Sequence, residues 1–178
     1  DVSKWWDSGN TGANTAGENN PTSPEESVVV KGKAAKLQST WIGFIGIGAF
    51  ASASMFTGNF VDIDGTNGIL SFGQPFTAKP TKLTGYYKYT PVNIDYMEQW
   101  DSKVDPDLKS GDSDQCIIYI ALCTKNYEIR TNPKSRQLFD PNDASVIAYG
   151  ELVAKEAVSG EEANGYKKFS IDIKYRKT

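Results

Sequence analysis

Aromatic side chains are the residues of this sequence best suited to binding a ligand. The 178 residues include four tryptophans, nine tyrosines and eight phenylalanines. Flat tryptophan and tyrosine rings stack against the apolar C–H faces of sugar rings, while their polar edges stay hydrated. The same rings also favour β-sheets, so packing in a core or between strands is the alternative for each of them. The ligand-binding candidates are Trp5, Trp6, Trp41, Tyr86, Lys88 and Trp100.

Histidine is absent from the sequence. Its absence excludes the most common general base, the histidine-dependent nucleophilic triads and histidine-bearing zinc sites. Two carboxylates about 5–9.5 Å apart would suffice for glycoside hydrolysis, and Glu98, Asp101 and Glu151 lie near aromatic residues in the sequence. The pattern singles out no pair of carboxylates. We therefore name no catalytic residue and expect a binding module rather than an enzyme.

Two acidic patterns are candidates for binding calcium. Asp62 and Asp64 in the run VDIDGTNG match the D-x-D start of an EF-hand loop. The residues that follow depart from that pattern, and a plain hairpin turn explains the run better. Asp112 and Asp114 belong to a long acidic connection, which is usually only solvated. Calcium is the one cofactor that the sequence suggests.

Charge and hydropathy exclude two classes of partner. The 22 acidic and 19 basic residues give a net charge of −3, which leaves no excess of cations to neutralise a nucleic-acid backbone. The stretch Leu37–Val61 has no charged residue, yet its serines, threonines and glycines make it too polar for a membrane span. We expect no nucleic-acid partner and no membrane span in this chain.

Cys116 and Cys123 lie seven positions apart on what the sequence predicts to be a single strand. An extended strand places them roughly 23 Å apart, whereas a disulfide needs about 4.4–6.8 Å between its Cα atoms. We expect two free thiols on opposite faces of the strand, with apolar packing as their role.

Short runs of β-favouring residues separated by turn signals recur along the chain, and no window of useful length has helical periodicity. This pattern predicts an all-β fold, a jelly-roll-like β-sandwich of mainly antiparallel strands. Asn67 and Gly68 predict the turn of a hairpin. The run CIIYIALC is apolar on both faces and predicts a central strand covered on both sides. In GYYKY, we expect Tyr87 and Tyr89 to face inward and Tyr86 to face the other way.

Two long segments separate groups of predicted strands. Residues 7–27 are rich in Asn, Gly, Thr and Ser, which offer little surface to bury, and they predict a surface arm or long loop. Residues 93–115 predict a long acidic connection. The length of the chain suits one domain over residues 1–178.

Six runs, in order, resemble the putative carbohydrate metabolism domain (PCMD) family, which recurs in secreted and surface lipoproteins of Bacteroides-type gut bacteria. The runs are WWDSGNTGA (5–13), GKAAKLQS (32–39), ASMFTGNF (53–60), FGQPFTAKPTKLTGYYKYTPV (72–92), DQCIIYIAL (114–122) and VIAYGEL (146–152). The resemblance implies a jelly-roll β-sandwich from an exported lipoprotein, with a role related to sugars. The family supplies no agreed catalytic residues, so none is transferred to this chain.

The resemblance and the aromatic residues together predict a non-catalytic, exported module that binds or handles carbohydrate. We expect it at the cell surface or in the periplasm, anchored to the outer membrane in the full-length protein. The expected partner is a polysaccharide or glycan, together with proteins of a surface complex. The alternative is a structural or adhesion module that binds protein through a sheet edge. A glycoside hydrolase is the third hypothesis.

Overall fold

The computed structural model describes residues 5–16, 20–44, 47–97 and 109–176. It contains thirteen strands, one α-helix and two short 3-10 helices, Pro133–Ser135 and Ala163–Gly165, within these ranges. The elements are β1 (Trp6–Ser8), α1 (Asn10–Ala16), β2 (Thr22–Glu25), β3 (Ala34–Leu37), β4 (Thr40–Phe44), β5 (Ile47–Ala51), β6 (Met55–Asp64), β7 (Asn67–Phe72), β8 (Lys82–Tyr87), β9 (Cys116–Cys123), β10 (Tyr127–Arg130), β11 (Val146–Ala154), β12 (Lys167–Asp172) and β13 (Lys174–Tyr175).

The described strands form five sheets, and every pairing between them is antiparallel. The strand orders are β1-β6-β7-β10, β13-β11-β9, β12-β8, β2-β3 and β4-β5. The predicted all-β fold of antiparallel strands is confirmed, and the arrangement is consistent with a β-sandwich. Within the described ranges, no helix has the length and apolarity needed to cross a membrane.

The chain forms two compact units. The first unit comprises residues 1–27, 33–77 and 125–140, and the second comprises residues 28–32, 78–124 and 141–178. The first contains the four-stranded sheet, and the second contains the three-stranded sheet together with the β12-β8 pair. The single domain over residues 1–178 stays a prediction.

The core of the first unit lies on one face of its four-stranded sheet. Phe56, Leu70, Tyr127 and Ile129 are buried there, and the rings of Phe56 and Phe72 are 4.6 Å apart. Because side chains alternate along a strand, the intervening residues of β6, β7 and β10 point to the opposite face. That opposite face carries mostly polar side chains.

Residues 7–27 contain most of β1, all of α1 and all of β2, although their composition predicts a surface arm or long loop. The backbone N–H of Phe60 donates to a carboxylate oxygen of Asp7 at 2.9 Å. Ala13 on α1 is buried. At Gly12, an added Cβ would lie 2.9 Å from the Phe60 ring, so the helix packs closely on that ring. The strand pairing of Asp7 and Ser8, the Asp7 carboxylate and the close packing at Gly12 attach the described start of this segment to β6.

The hairpin between β6 and β7 was predicted correctly, but its turn was placed wrongly. Asp64 is paired with Asn67, so Gly65 and Thr66 form the turn, and Asn67 and Gly68 begin β7. Gly65 has a φ of +67°, a conformation that glycine adopts without steric cost. The Asn-Gly pair does not mark the turn, because Gly65, three residues before Gly68, occupies the turn position instead.

The prediction that β9 is a central strand is wrong. Strand β11 occupies the centre of the three-stranded sheet, and β9 lies at its edge among the described strands. Ile117 is 50% exposed and Tyr119 is 38% exposed, whereas Val146 and Ala148 of β11 are buried. An apolar composition on both faces did not mean burial on both faces. The two cysteines at the ends of β9 are free thiols, as predicted.

The last strands of the second unit cross from one sheet to another. Strand β12 pairs with β8, and after Ile173 the chain continues as β13, which pairs with β11 at Ala148 and Tyr149. Gly150 makes this crossing possible, because an added Cβ would lie 2.5 Å from the Asp172 carbonyl oxygen. The backbones of β11 and β12 therefore meet at a point where no side chain fits.

We predict that Gly150→Ala destabilises the protein by about 2 kcal/mol or more, because the new methyl group overlaps backbone that cannot easily move. Denaturant unfolding of both proteins measures the difference. Gly68→Ala is the matched control, since its nearest neighbour would be the Phe60 ring at 3.4 Å, an ordinary contact. Equal losses of stability in the two variants would contradict the close contact at Gly150.

Candidate functional site

The ligand-binding residues predicted in the first unit are exposed. Trp5 and Trp6 lie at the start of β1, where Trp6 is paired with Thr57 of β6. Trp41 lies on β4 opposite Phe50 of β5, and both rings are exposed. Trp41 therefore belongs to a different sheet from Trp6.

In the second unit, Tyr86 and Lys88 are exposed, whereas Tyr87 is half-buried. Tyr87 packs edge-on against the Phe169 ring, with 5.8 Å between centroids. The Lys88 ammonium donates to the carbonyl oxygen of Asn164 at 2.8 Å. The predicted alternation of this strand is thus present. The remaining candidate, Trp100, lies outside the described residues, as do Glu98 and Asp101.

The four predicted calcium ligands accept hydrogen bonds from nearby donors. Asp62 accepts from the N–H of Ile63, and Asp64 accepts from the Asn132 side chain, both at 2.8 Å. Asp112 accepts from the N–H of Lys109 at 2.8 Å. In the part of the chain that the structure describes, no three residues among Cys, Asp and Glu are grouped to hold a metal ion.

Asp114 accepts hydrogen bonds from the Tyr89 hydroxyl and from the N–H of Val92. Burial raises the pKa of Tyr89, and the hydrogen bond to Asp114 raises it further. This carboxylate ties the start of β9 to the segment after β8.

The exposed face of the three-stranded sheet carries a group of side chains that we call the tyrosine surface. Directly opposed residues on antiparallel strands point to the same face. Strand pairing sets Tyr119 opposite Glu151, Ile117 opposite Val153, and Lys174 opposite Tyr149. The tyrosine surface comprises Ile117, Tyr119, Tyr149, Glu151, Val153 and Lys174.

The two tyrosine rings are neighbours on this surface. Their centroids are 6.0 Å apart and their planes are inclined by 40°. The Tyr149 hydroxyl donates to a carboxylate oxygen of Glu151 at 2.8 Å, which orients both groups. Burial raises the pKa of both phenols, and for Tyr149 the bond to Glu151 adds to the increase.

An open cleft of about 540 Å³ adjoins the tyrosine surface and is lined by residues of β11, β12 and β13. Its size falls within the range of small-ligand sites, about 300–1,000 Å³. Asp172 lies 3.4 Å from the Lys82 ammonium. The polar side chains that line the cleft are those of Tyr149, Glu151, Ser170, Asp172 and Lys174.

Comparison with protein-family models matches residues 1–178 to the putative carbohydrate metabolism domain. The chain belongs to this family. The resemblance inferred from the six sequence runs is confirmed, and the family's description relates the PCMD chain to carbohydrate metabolism. No curated protein and no solved structure matches the chain.

The chemistry of the PCMD cleft suits a neutral ligand with many hydroxyl groups. Two carboxylates, Glu151 and Asp172, are balanced by two ammonium groups, Lys82 and Lys174. Carboxylates accept hydrogen bonds, ammonium groups donate them, and the Ser170 hydroxyl does both. The tyrosine rings beside these groups supply the flat apolar surface.

Tyr119 and Tyr149 were missing from the ligand-binding residues that the sequence predicted. A signal for Tyr149 was present in the run VIAYGEL, where the small residues Ala148 and Gly150 alternate with the larger Tyr149 and Glu151. Small residues on one face allow close packing there, so the larger ones face outward. For Tyr119 the sequence offered no comparable signal, because both faces of its strand are apolar.

We predict that the stability of this PCMD domain falls as the pH rises above about 10, the ordinary pKa of tyrosine. The folded state keeps protons on Tyr89, Tyr119 and Tyr149 that the unfolded chain releases, because their folded pKa values are raised. The contribution of these three tyrosines to the free energy of unfolding is constant below about pH 10 and is lost above it. In Tyr149→Phe the decline should be shallower.

Denaturant midpoints measured from about pH 8 to about pH 11 test this prediction. The difference between the denaturant midpoints of the wild type and Tyr149→Phe at about pH 8 serves as the internal reference. Parallel curves for the two proteins throughout would show that Tyr149 contributes nothing to the decline.

Proposed function

We propose that this PCMD domain is a non-catalytic carbohydrate-binding module that holds a glycan on the tyrosine surface and in the adjoining cleft. The observation that carries the proposal is the pair of neighbouring rings, Tyr119 and Tyr149, beside the polar cleft. Membership of a family related to carbohydrate metabolism supports the class of ligand.

Stacking on the two rings supplies the apolar part of the binding energy. Covering about 50 Å² of apolar surface on each ring would contribute roughly 1 kcal/mol. The hydrogen bond from Tyr149 to Glu151 limits the movement of its ring before the ligand arrives, which reduces the entropy lost on binding.

The cleft supplies specificity for hydroxyl groups. Glu151 and Asp172 accept hydrogen bonds from sugar hydroxyls, and Lys174 donates to sugar oxygens. Since the two carboxylates and two ammonium groups balance, the cleft has no net charge that would attract a charged glycan, and a neutral glycan suits it.

Binding is favoured over hydrolysis by the donors around the two carboxylates. A glycoside hydrolase needs one protonated carboxyl group to act as general acid. In this cleft Glu151 accepts from the Tyr149 hydroxyl, and Asp172 pairs with Lys82, so both carboxylates hold neighbouring side chains of the site in place. Release of reducing sugar from a bound oligosaccharide would favour the hydrolase instead.

The proposal places the module outside the cytoplasm, at the cell surface or in the periplasm, as part of an outer-membrane lipoprotein. The support is the resemblance of its sequence runs to domains of exported lipoproteins. Its partners are then glycans and the proteins of a surface complex. Protease accessibility on intact cells tests the location.

An adhesion module is the second candidate, and the position of β9 favours it. This strand of eight uncharged residues lies at the edge of its sheet among the described strands, and exposed edges accept added strands from partners. A protein captured by the domain, combined with no binding on a glycan array, would favour adhesion over glycan binding.

We predict that Tyr119→Ala and Tyr149→Ala each weaken binding of a neutral hexasaccharide, chosen from a glycan array, by about tenfold, or ~1.4 kcal/mol. The cause is the loss of one stacking ring in each variant. Isothermal titration calorimetry measures the affinities. Phe76→Ala removes an exposed ring outside the tyrosine surface and should leave the affinity within about twofold of wild type.

Two results would overturn the proposal. One is the absence of binding to any plant or host glycan by the wild type. The other is an unchanged affinity in both tyrosine variants after circular dichroism has shown that they fold.

A further inference from the structure

The first unit exposes a second surface that combines an aromatic ring with polar side chains. Its four-stranded sheet buries Phe56, Leu70 and Ile129 on one face, so the alternate residues occupy the other face. There, Asn59 of β6, Ser71 of β7 and Glu128 of β10 form one continuous row across three strands.

Trp6 occupies the neighbouring row, opposite Thr57. It is 54% exposed, although its backbone is firmly held. The Trp5 carbonyl accepts from the N–H of Gly58 at 3.3 Å, and Asp7 accepts from the N–H of Phe60 at 2.9 Å. A large ring on a fixed backbone offers a binding surface with little entropy to lose.

The polar side chains beside Trp6 have hydrogen-bonding capacity left for a ligand. Within the described part of the chain, the side chains of Thr57, Asn59 and Ser71 form no hydrogen bond with another residue. Glu128 and Arg130 form an ion pair at 2.7 Å, so these two charges neutralise each other. Hydroxyl and amide groups beside an exposed indole match the hydroxyl edges and apolar faces of a sugar.

We propose that Trp6, Thr57, Asn59, Ser71 and Glu128 form a second glycan-binding site, separate from the tyrosine surface. Its ligand is an uncharged polysaccharide chain that lies across the strands, because an open sheet face suits the middle of a chain. The choice of glycan as ligand rests on the proposed function. The position of the site rests on the first unit alone.

Two sites in one chain have a consequence for affinity. A long polysaccharide can engage both sites of one molecule when it is flexible and long enough to reach them, and the second contact is then intramolecular. A short oligosaccharide occupies each site separately. The stoichiometry for a short ligand therefore counts the sites directly.

Calorimetric titration of the whole chain with a neutral hexasaccharide tests the proposal. We expect about two ligands per wild-type chain and about one in Trp6→Ala. The double variant Tyr119→Ala/Tyr149→Ala, which lacks both stacking rings of the tyrosine surface, should also retain about one. Trp41→Ala is the matched control, because it removes an exposed tryptophan from the separate β4-β5 sheet and should leave the stoichiometry of the wild type.

Asn59→Ala provides a second variant that does not depend on the packing of β1. Its side chain is exposed, so the fold should persist, while the affinity of the site should fall by several-fold through loss of a hydrogen-bonding amide. Trp6→Phe should restore part of the binding that Trp6→Ala loses.

The outcomes separate this inference from the proposed function. One ligand per chain, lost in the double tyrosine variant and retained in Trp6→Ala, would overturn the second site and leave the first. One ligand per chain, lost in Trp6→Ala and retained in the double tyrosine variant, would support the Trp6 site and overturn the tyrosine surface. No binding to the wild type would overturn both.

Discussion

The contact between Gly150 and the backbone of Asp172 is the constraint on which the second unit depends. Because no side chain stands between them, β12 can approach β11 closely at one point, continue past Ile173 and join the other sheet as β13. Residues of both strands next to that point line the cleft. The geometry of the candidate site thus follows from the absence of one Cβ atom.

Alternation along the strands explains why each unit exposes an aromatic ring next to polar groups. In both units one face of a sheet buries the apolar core, and the residues between the core positions are exposed. The half-buried Tyr149 and the exposed Glu151 lie on the outer face because Ala148 and Gly150 pack inward. Asn59 is exposed because it lies three positions from the buried Phe56, an odd spacing that points it to the opposite face. Rings in these positions are held by a sheet rather than by a loop, which favours binding with little reorganisation.

The acidic residues show how one residue type can serve different purposes. Asp7, Asp64 and Asp114 each accept hydrogen bonds from donors distant in sequence and so connect segments of the fold. Glu151 and Asp172 instead line an open cleft, where part of their accepting capacity faces solvent. Spacing along the chain does not separate these two groups, because the donors that decide their roles lie on other strands.

The sequence by itself determined the fold class, the family, the free thiols and the exclusion of histidine chemistry, because these depend on composition, local alternation and motif order. It also predicted the inward and outward faces around Tyr86 and Tyr87. Tertiary structure alone decided that β9 is an edge strand among the described strands, that Asp7 and Ser8 pair with β6 while α1 packs at Phe60, and that Tyr119 and Tyr149 are neighbours. Those facts depend on which strands pair and in what register, and an apolar strand such as β9 carries no local pattern that distinguishes its covered face from its exposed one.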